Sequence, residues 1–463
     1  MRNETECGGK ANRLKRPNVI IVSTHDSGRH FGCYGVETVQ TPNIDRFASE
    51  AILFEQMFAA SPYCTPSRGA LLTGRYPQAN GLIGLTGERC KHPWELNDYH
   101  QHLSQLMQDC GYDTAMFGLQ HETQFIERLG FDSTAFHGTG TYGKGDERSA
   151  LQVAADAAAF LKTHKDGETP FYLQIGFFET HTPYDFGGCT PDDSGGVWIP
   201  PYTRSHDWSP WNKILAKYYA DPADRTPRHH IAAFQGALRQ VDQAFGIILN
   251  ALEQASLAEN TLVLFTTDHG PEFPGAKWKL HGAGLGIAFV MRWPEGGVCG
   301  GLRCDSLLSN VDFLPTLFDL AGLESLDNFQ GISFADKCGA DRGLALPVRD
   351  TVFAVHFDQL NFSARTDRYN IIWNQVQLDS SGRVWPEYEF YDLAADPDET
   401  CNMAETGEHD SEFQEMRGRL MAWLHEMGDP VVQGPMLANN HLAMLTEYQA
   451  RYAAQKNPAA REE

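Results

Sequence analysis

An α/β fold built on one large, mostly parallel sheet is what this sequence predicts, and two features carry the prediction. Short unbroken runs of β-branched and aromatic residues alternate with stretches of helical period through the first three quarters of the chain. After about residue 345 the texture changes to shorter segments of mixed polarity. Unbroken apolar runs suit strands covered on both faces, and strands joined by crossover helices run parallel.

The strands come in order as "NVIIVS" (18–23), "DTAMFGL" (113–119), "FYLQIGFF" (171–178), "TLVLFTT" (261–267) and "IAFVMRW" (287–293). Helices are expected over 45–52, 101–110, 149–163, 229–257 and 311–322, the fourth because its apolar residues recur at helical spacing. Together they make a large α/β domain of residues 1–345. In residues 346–463, "DTVFAVHF", "ARTDRYNIIWN" and "EYEFYDLAADPDE" read as a small antiparallel sheet. "SEFQEMRGRLMAWLHEMG" (411–428) reads as an amphipathic closing helix. The result is a C-terminal α+β subdomain, with the charged tail after 445 expected to fray. The segment 183–228, rich in Pro, Asp, Gly and Trp, is expected to be a long surface insertion near the site. No internal repeat or low-complexity tract interrupts this plan.

At 463 residues and 42% hydrophobic, the chain can bury a large core. Its formal charge of −23 excludes nucleic acid and an anionic membrane surface as partners, since neither field draws in so acidic a body. The start has basic residues but no apolar run before the first strand, and no stretch reaches the about 18 apolar residues a spanning helix needs. A soluble, cytoplasmic protein is the expectation. Ten cysteines lack CxxC spacing, so in that compartment most are small buried hydrophobes, and the sequons at Asn3 and Asn361 carry little weight. An anionic substrate would then need a local cluster of cations.

In open α/β sheets ligands bind beyond the carboxyl ends of the strands. Here strand 18–23 runs into Thr24-His25-Asp26, strand 113–119 into Gln120-His121, strand 171–178 into Glu179-Thr180-His181, and strand 261–267 into Asp268-His269. A single histidine at such a place is more often structural. Four strands delivering His or Asp to one edge point instead to a divalent-metal site of Asp26, Asp268 and His269, with His25 at its border. Lys277, eight residues past His269, is the nearest cation able to clamp an anion, whereas Lys279 can simply face solvent.

Cys64 sits where a helix begins. Pro66 suits a first helical turn and the helix continues through "SRGALLTG", so the thiol lies near the positive end of the helix dipole, with Arg68 one turn on. A helix N-terminus, a guanidinium, Lys277 and a metal make a pocket for a tetrahedral oxyanion.

The stretch "CTPSRGALLTGR" resembles the C-x-P-x-R…TG signature of the type I sulfatases of the alkaline phosphatase superfamily. The likeness covers most of the chain, including "RPNVIIVSTHD", "TPNIDRFASEAILFEQMFAASPYCTPSR", "FTTDHG", "MRWPEGG", "VDFLPTLFDLAGL" and "EFYDLAADPDET". "THDSGRHFGCYG" and "GPEFPGAKWK" are most similar to heparan N-sulfatase-like members. The resemblance implies that a separate maturation enzyme oxidises Cys64 to formylglycine, whose hydrate is the nucleophile. By the same likeness Asp26, Asp268 and His269 are metal ligands completed by residue 64, Arg68 holds the hydrate, Lys277 binds sulfate, and His121 and His181 flank nucleophile and leaving group. The metal it implies is calcium, and the substrate a sulfated saccharide, glycosaminoglycan or aryl sulfate.

Three positions depart from the pattern. His25 stands where the family usually has an aspartate, and imidazole favours softer ions such as manganese or zinc. The second metal pair is Asp268-His269 rather than Asp-Asn, a form also seen in relatives that hydrolyse phosphonate monoesters and phosphodiesters. The "GKxH" motif reads "GLQH" (118–121), so Leu119 replaces an expected lysine. Two rivals arise: a phosphonate monoester or phosphodiester hydrolase with the same constellation, and a non-catalytic binder of sulfated sugar. For substrate contact, Trp198, Trp208 and Trp211 in the insertion can stack on sugar rings or merely pack it down. Arg365 and Arg368 can reach an anionic group or pair on the surface.

Overall fold

The computed structural model describes residues 16–87, 93–138, 149–165, 167–204, 215–216, 218–338, 348–375, 386–407, 409–434 and 441–456. Eight strands form the large sheet in the order Ser133–Gly138, Asp113–Leu119, Phe171–Gly176, Asn18–Thr24, Thr261–Thr267, Phe289–Arg292, Ile52–Phe54 and Leu302–Cys304. The first five run parallel, with Asn18–Thr24 in the middle, in register with both Phe171–Gly176 and Thr261–Thr267. Phe289–Arg292 is antiparallel to both its neighbours, so the sheet is mixed at one side only.

Alternation along these strands feeds two cores, one on each face. Ile20, Val22, Leu173, Ile175, Val263 and Phe265 face a layer containing the helices Ala150–Thr163 and Pro227–Gln254. Val19, Ile21, Tyr172, Leu262 and Leu264 face the opposite layer, which includes the helices Leu103–Asp109 and Phe313–Ala321. Both faces are buried, which is why the strands read as unbroken apolar runs. Leu264→Ala removes a fully buried side chain from the second layer and is expected to cost about 2–5 kcal/mol, measured by denaturant unfolding.

Helix starts follow local chemistry. Ser149 and Gln152 form a reciprocal capping box at the Ala150–Thr163 helix, and Thr226 caps the long helix with Pro227 in its first turn. The helix expected over 45–52 begins earlier, at Pro42, and ends at Glu50, because Pro42 supplies a preset first turn after Thr41. The last predicted strand is shorter than 287–293, and Phe171–Gly176 stops before Phe177, whose amide turns to the Ser23 carbonyl at the site edge.

The smaller sheet is antiparallel, in the order Val352–His356, Asn361–Arg365, Tyr369–Asn374 and Tyr388–Asp392, with the helix Asp410–Glu426 against it. The tail is not frayed through residue 456: His441–Lys456 is a helix whose Tyr448 and Tyr452, four residues apart, are buried. Tyr448 donates to Asp429 and Tyr452 to the Gln78 carbonyl, and both tyrosines share one core with residues of the small sheet and with Tyr76 and Ile83.

The described part of the insertion lies down on the protein. Val197, Trp198, Ile199 and Tyr202 pack against the first core, and Trp198 meets His30 at 5.2 Å between ring centres. Gly236 of the long helix permits this approach, since a Cβ there would stand 1.9 Å from the Thr190 carbonyl oxygen. Trp208 and Trp211 fall outside the described residues. No helix among the described residues is long and apolar enough to cross a membrane, and the described cysteines are free thiols.

Candidate active site and metal centre

The carboxyl ends of Asn18–Thr24 and Thr261–Thr267 meet at Cys64, and those of Asp113–Leu119 and Phe171–Gly176 bring His121 and His181 beside His25. Its helix, Cys64–Thr73, is buried throughout, and Ser67 ties it to the neighbouring strand by donating to the Asp268 carbonyl at 2.5 Å. Asn310 in turn donates to the Ser67 carbonyl at 3.0 Å. Cys64 Sγ thereby lies 3.3 Å from His269 Nε2 and 3.9 Å from both His25 Nδ1 and Asp26 Oδ1. Potential ligand atoms of His25, Asp26, Cys64, Asp268 and His269 all lie within 4.8 Å of one another.

Asp26 is held in a left-handed backbone conformation, φ 43°, which costs on the order of 1–3 kcal/mol in a residue with a side chain. Its amide donates to Asp268 Oδ1 at 2.8 Å, so two strand ends are clasped by a backbone-to-carboxylate bond. Burial alone would raise the Asp26 carboxyl, but the Lys277 ammonium, then His25, His181 and His269, hold it well below its ordinary value. Asp268 is likewise lowered against the effect of burial, by His269, His25 and Arg68. Both carboxylates are therefore charged and available to a cation. The Cys64 thiol moves the other way. Burial pushes it well above the ordinary range, Lys277 opposes this, and Asp26 and Asp268 reinforce it, so the unmodified side chain is a neutral thiol rather than a thiolate nucleophile.

Arg68 reaches across to the neighbouring strand ends. Its Nε and Nη2 contact Asp268 Oδ2 at 3.2 and 3.1 Å, its Nη1 donates to Ser23 Oγ at 3.0 Å, and its Nη2 donates to the Thr24 carbonyl at 3.2 Å. Lys277 Nζ lies 2.5 Å from Asp26 Oδ2, 3.4 Å from His181 Nε2 and 3.6 Å from Glu272 Oε2. Asp26, His181 and Glu272 could together hold a second ion, but the lysine ammonium already occupies the space between them. The cluster is a lysine cradle.

The two outer histidines are fixed differently. His181 Nδ1 donates to the Thr182 carbonyl at 2.8 Å, its ring stacks on Phe178 at 5.3 Å, and burial followed by Lys277 keeps it well below its ordinary pKa. His121 is lowered to about 3, by burial first and then by His25 and Arg68. Its buried Nδ1 has no hydrogen-bonding partner among the described residues, a deficit worth about 1–3 kcal/mol. Leu119 is buried two residues before it and brings no charge.

Nothing in the sequence marks Glu272 as part of the site, although it lies within "GPEFPGAKWK" five residues before Lys277. It is buried, accepts from Thr182 Oγ1 at 2.6 Å and from Tyr218 at 3.4 Å, and so anchors the lysine cradle to the insertion. Glu122, another buried carboxylate, contributes to the field at Arg68. Arg365 and Arg368 are both paired, with Glu399 at 3.1 Å and Asp392 at 3.2 Å.

Against known proteins, the sulfatase family profile matches residues 17–323, more than half the chain. The chain belongs to the sulfatase family. A second profile, "N-sulphoglucosamine sulphohydrolase, C-terminal", matches residues 277–426. This sulfatase is 26% identical to human N-sulphoglucosamine sulphohydrolase over 478 residues, spanning 91% of this chain and 93% of that one. It is 25% identical to an ulvan-active sulfatase of Formosa agariphila, over 91% of this chain and 77% of the relative. Among solved structures, one in complex with its substrate D-glucosamine-2-N,6-O-disulfate superposes with a TM-score of 0.70 at 22% identity, covering 90% of this chain and 99% of that one. A 2-O GAG sulfatase does so with a TM-score of 0.70 at 22% identity, over 90% and 94%. At that identity the likeness speaks for the fold, and it is the fold expected from the alternating elements.

The residues around Cys64 fit a divalent cation: two ionised carboxylates and two imidazoles meet in one buried cluster. Nearest Cys64, Asp26 and Asp268 are matched by Lys277 and Arg68, with Glu272 behind the lysine, and a divalent ion would add positive charge at that point. That is the local cation cluster an anionic substrate requires in a chain of net charge −23.

Proposed function

We propose that this sulfatase hydrolyses a sulfate ester or sulfamate of a sulfated carbohydrate, using a formylglycine that a separate maturation enzyme makes from Cys64. The observation that carries the reading is the meeting of Cys64, at a helix N-terminus, with His25, Asp26, Asp268 and His269 in one buried cluster. Relatives whose names refer to N-sulphoglucosamine, ulvan and N-acetylglucosamine-6-O-sulfate support the carbohydrate class.

A divalent ion held by His25, Asp26, Asp268 and His269 would supply Lewis-acid charge that makes a hydroxyl of residue 64 easier to ionise. One hydrate oxygen of residue 64 forms a bond to sulfur while the bond from sulfur to the sugar oxygen or nitrogen breaks. Lys277 neutralises the sulfuryl oxygens as their charge grows, and Arg68 keeps Asp268 in position. The departing atom takes a proton from His181 or His121, once the negative charge of the bound substrate has offset the burial that lowers these imidazoles in the free protein. In His181 this proton sits on Nε2, because Nδ1 is committed to the Thr182 carbonyl, and an anion beside the ring is what favours its protonation. The second hydroxyl of residue 64 then loses its proton, the C=O bond re-forms, and the C–O bond to sulfate breaks. Water restores the hydrate.

His181→Gln is expected to lower kcat by roughly 10²–10⁴-fold, with a smaller loss on substrates whose leaving group needs no proton. Lys277→Ala is expected to lower kcat/KM for a sulfated substrate by about 10–100-fold, the worth of a charged hydrogen bond. Initial-rate kinetics on aryl and sugar sulfates read both.

The Asp268-His269 pair favours one rival, hydrolysis of phosphonate monoesters or phosphodiesters. Matched aryl sulfate, aryl phosphonate and phosphodiester substrates, offered to metal-loaded and modified protein, separate the two. Faster turnover of sulfate supports the proposal, and faster turnover of a phospho-substrate overturns it. Leu119 motivates the other rival, a non-catalytic binder. Absence of turnover on every substrate by protein proven to carry the aldehyde would favour that rival.

A further inference from the structure

We infer that the metal centre of this sulfatase selects a first-row transition ion, zinc ahead of manganese, over the calcium that the family resemblance implies. The inference rests on the metal-assisted function proposed above and names the ion class that its site would take.

The first ground is the donor set. At the ends of Asn18–Thr24 and Thr261–Thr267, the side chains turned toward Cys64 are two imidazoles, His25 and His269, and two carboxylates, Asp26 and Asp268. Calcium takes six to eight oxygens, often with carboxylates binding through both. Here each carboxylate already engages a cation through Oδ2: Asp26 holds Lys277 at 2.5 Å, and Asp268 holds Arg68 at 3.1 Å. Asp268 Oδ1 also accepts the amides of Asp26 and His269 at 2.8 and 2.9 Å. Bidentate binding would compete with these bonds, so the protein offers about as many nitrogens as oxygens.

The second ground is the orientation of His269. Its Nδ1 lies 2.9 Å from the Gly270 carbonyl oxygen, which can only accept, so the proton is on Nδ1 and Nε2 presents a lone pair. That lone pair faces Asp26 Oδ1 at 3.2 Å and Cys64 Sγ at 3.3 Å. In the unmodified protein the neutral Cys64 thiol can donate to that lone pair, so the geometry presents Nε2 to whatever lies beside residue 64. An imidazole steered by a carbonyl behind it is how proteins orient a histidine toward a metal. His25 Nδ1 also points into the cluster, 2.6 Å from Asp26 Oδ1 and 3.4 Å from Asp268 Oδ2; there it donates to the Asp26 carboxylate, and a bound ion would take that proton's place.

Imidazole suits zinc, and for one site of mixed nitrogen and oxygen donors affinity rises from manganese to zinc. Because Lys277 fills the space among Asp26, His181 and Glu272, one ion is expected per chain.

The test is calorimetric titration of the metal-stripped full-length protein with zinc, manganese and calcium chlorides, each with a competing chelator, beside the double variant His25→Asp/His269→Asn. Wild type is expected to bind one zinc per chain at least about 100-fold more tightly than calcium, with manganese between. In the double variant calcium should gain about tenfold or more and zinc lose about 100-fold. Circular dichroism checks that the variant is folded. Should it not fold, the absorption spectrum of cobalt-substituted wild type replaces it, nitrogen ligation being the expected result and an all-oxygen spectrum the contrary one. Calcium bound as tightly as zinc, or an order of affinities unchanged by the double substitution, overturns the inference and leaves the proposed sulfatase activity standing. Failure to bind any of the three ions overturns the inference and removes the metal from the proposed mechanism. Zinc selectivity in a protein that turns over no sulfate would sink the function and leave the ion assignment intact.

Discussion

Cys64→Ala is expected to abolish turnover, on the order of 10⁴–10⁶-fold in kcat, while the fold survives. The size reflects the side chain's position. Residue 64 is the nucleophile in the proposed chemistry, and His25, Asp26, His269 and Lys277 are arranged around it, so no neighbour can replace its oxygen. The fold survives because Cys64 is not part of either large core cluster, and the helix it begins is held by Ser67, Asn310 and the apolar residues Leu71 and Leu72. Cys64→Ser behaves the same way in a host whose maturation enzyme modifies only cysteine, since a serine hydroxyl lacks the second oxygen that expels sulfate. Steady-state rates and thermal melts on the same samples check both halves. Wild-type-like rates in either variant would remove the covalent mechanism.

Asp268→Asn is expected to have the second largest effect, with metal affinity falling by at least about 100-fold and turnover falling with it. Asp268 is the hub of the site. It accepts from the amides of Asp26 and His269, pairs with Arg68, and supplies one of only two carboxylates in the ligand cluster. The amide keeps the shape but loses the charge, and its NH2 group would face either Arg68 or the two backbone donors. Metal content of the purified variant, determined by mass spectrometry of the elements, reads the loss. Content equal to wild type would show that Asp268 is not a ligand.

Much of this arrangement is readable from the chain because strands buried on both faces announce themselves as apolar runs, and the residues just past the end of such a run lie at the sheet edge. Thr24-His25-Asp26, Gln120-His121, Glu179-Thr180-His181 and Asp268-His269 are therefore found without coordinates. Partnerships across the fold are not. Nothing local to Arg68 tells that it pairs with Asp268, 200 positions away, rather than bending back to Cys64. Glu272 is one acid in a loop of prolines and glycines, and its place between Lys277, Thr182 and Tyr218 exists only after three segments meet. The tail misleads for a different reason. Its charges suggest solvent, yet Tyr448 and Tyr452 line one helical face and are buried, a spacing of four that is the signal to weigh. Trp198, half-buried, packs one face against the first core.

The most direct check is the mass of the peptide spanning residues 61–77 from protein made alongside a formylglycine-generating enzyme. The account predicts a peptide lighter by the difference between CH2SH and CHO at residue 64, and reactive toward a carbonyl probe. An unmodified Cys64 in protein that nevertheless cleaves sulfate esters would contradict it.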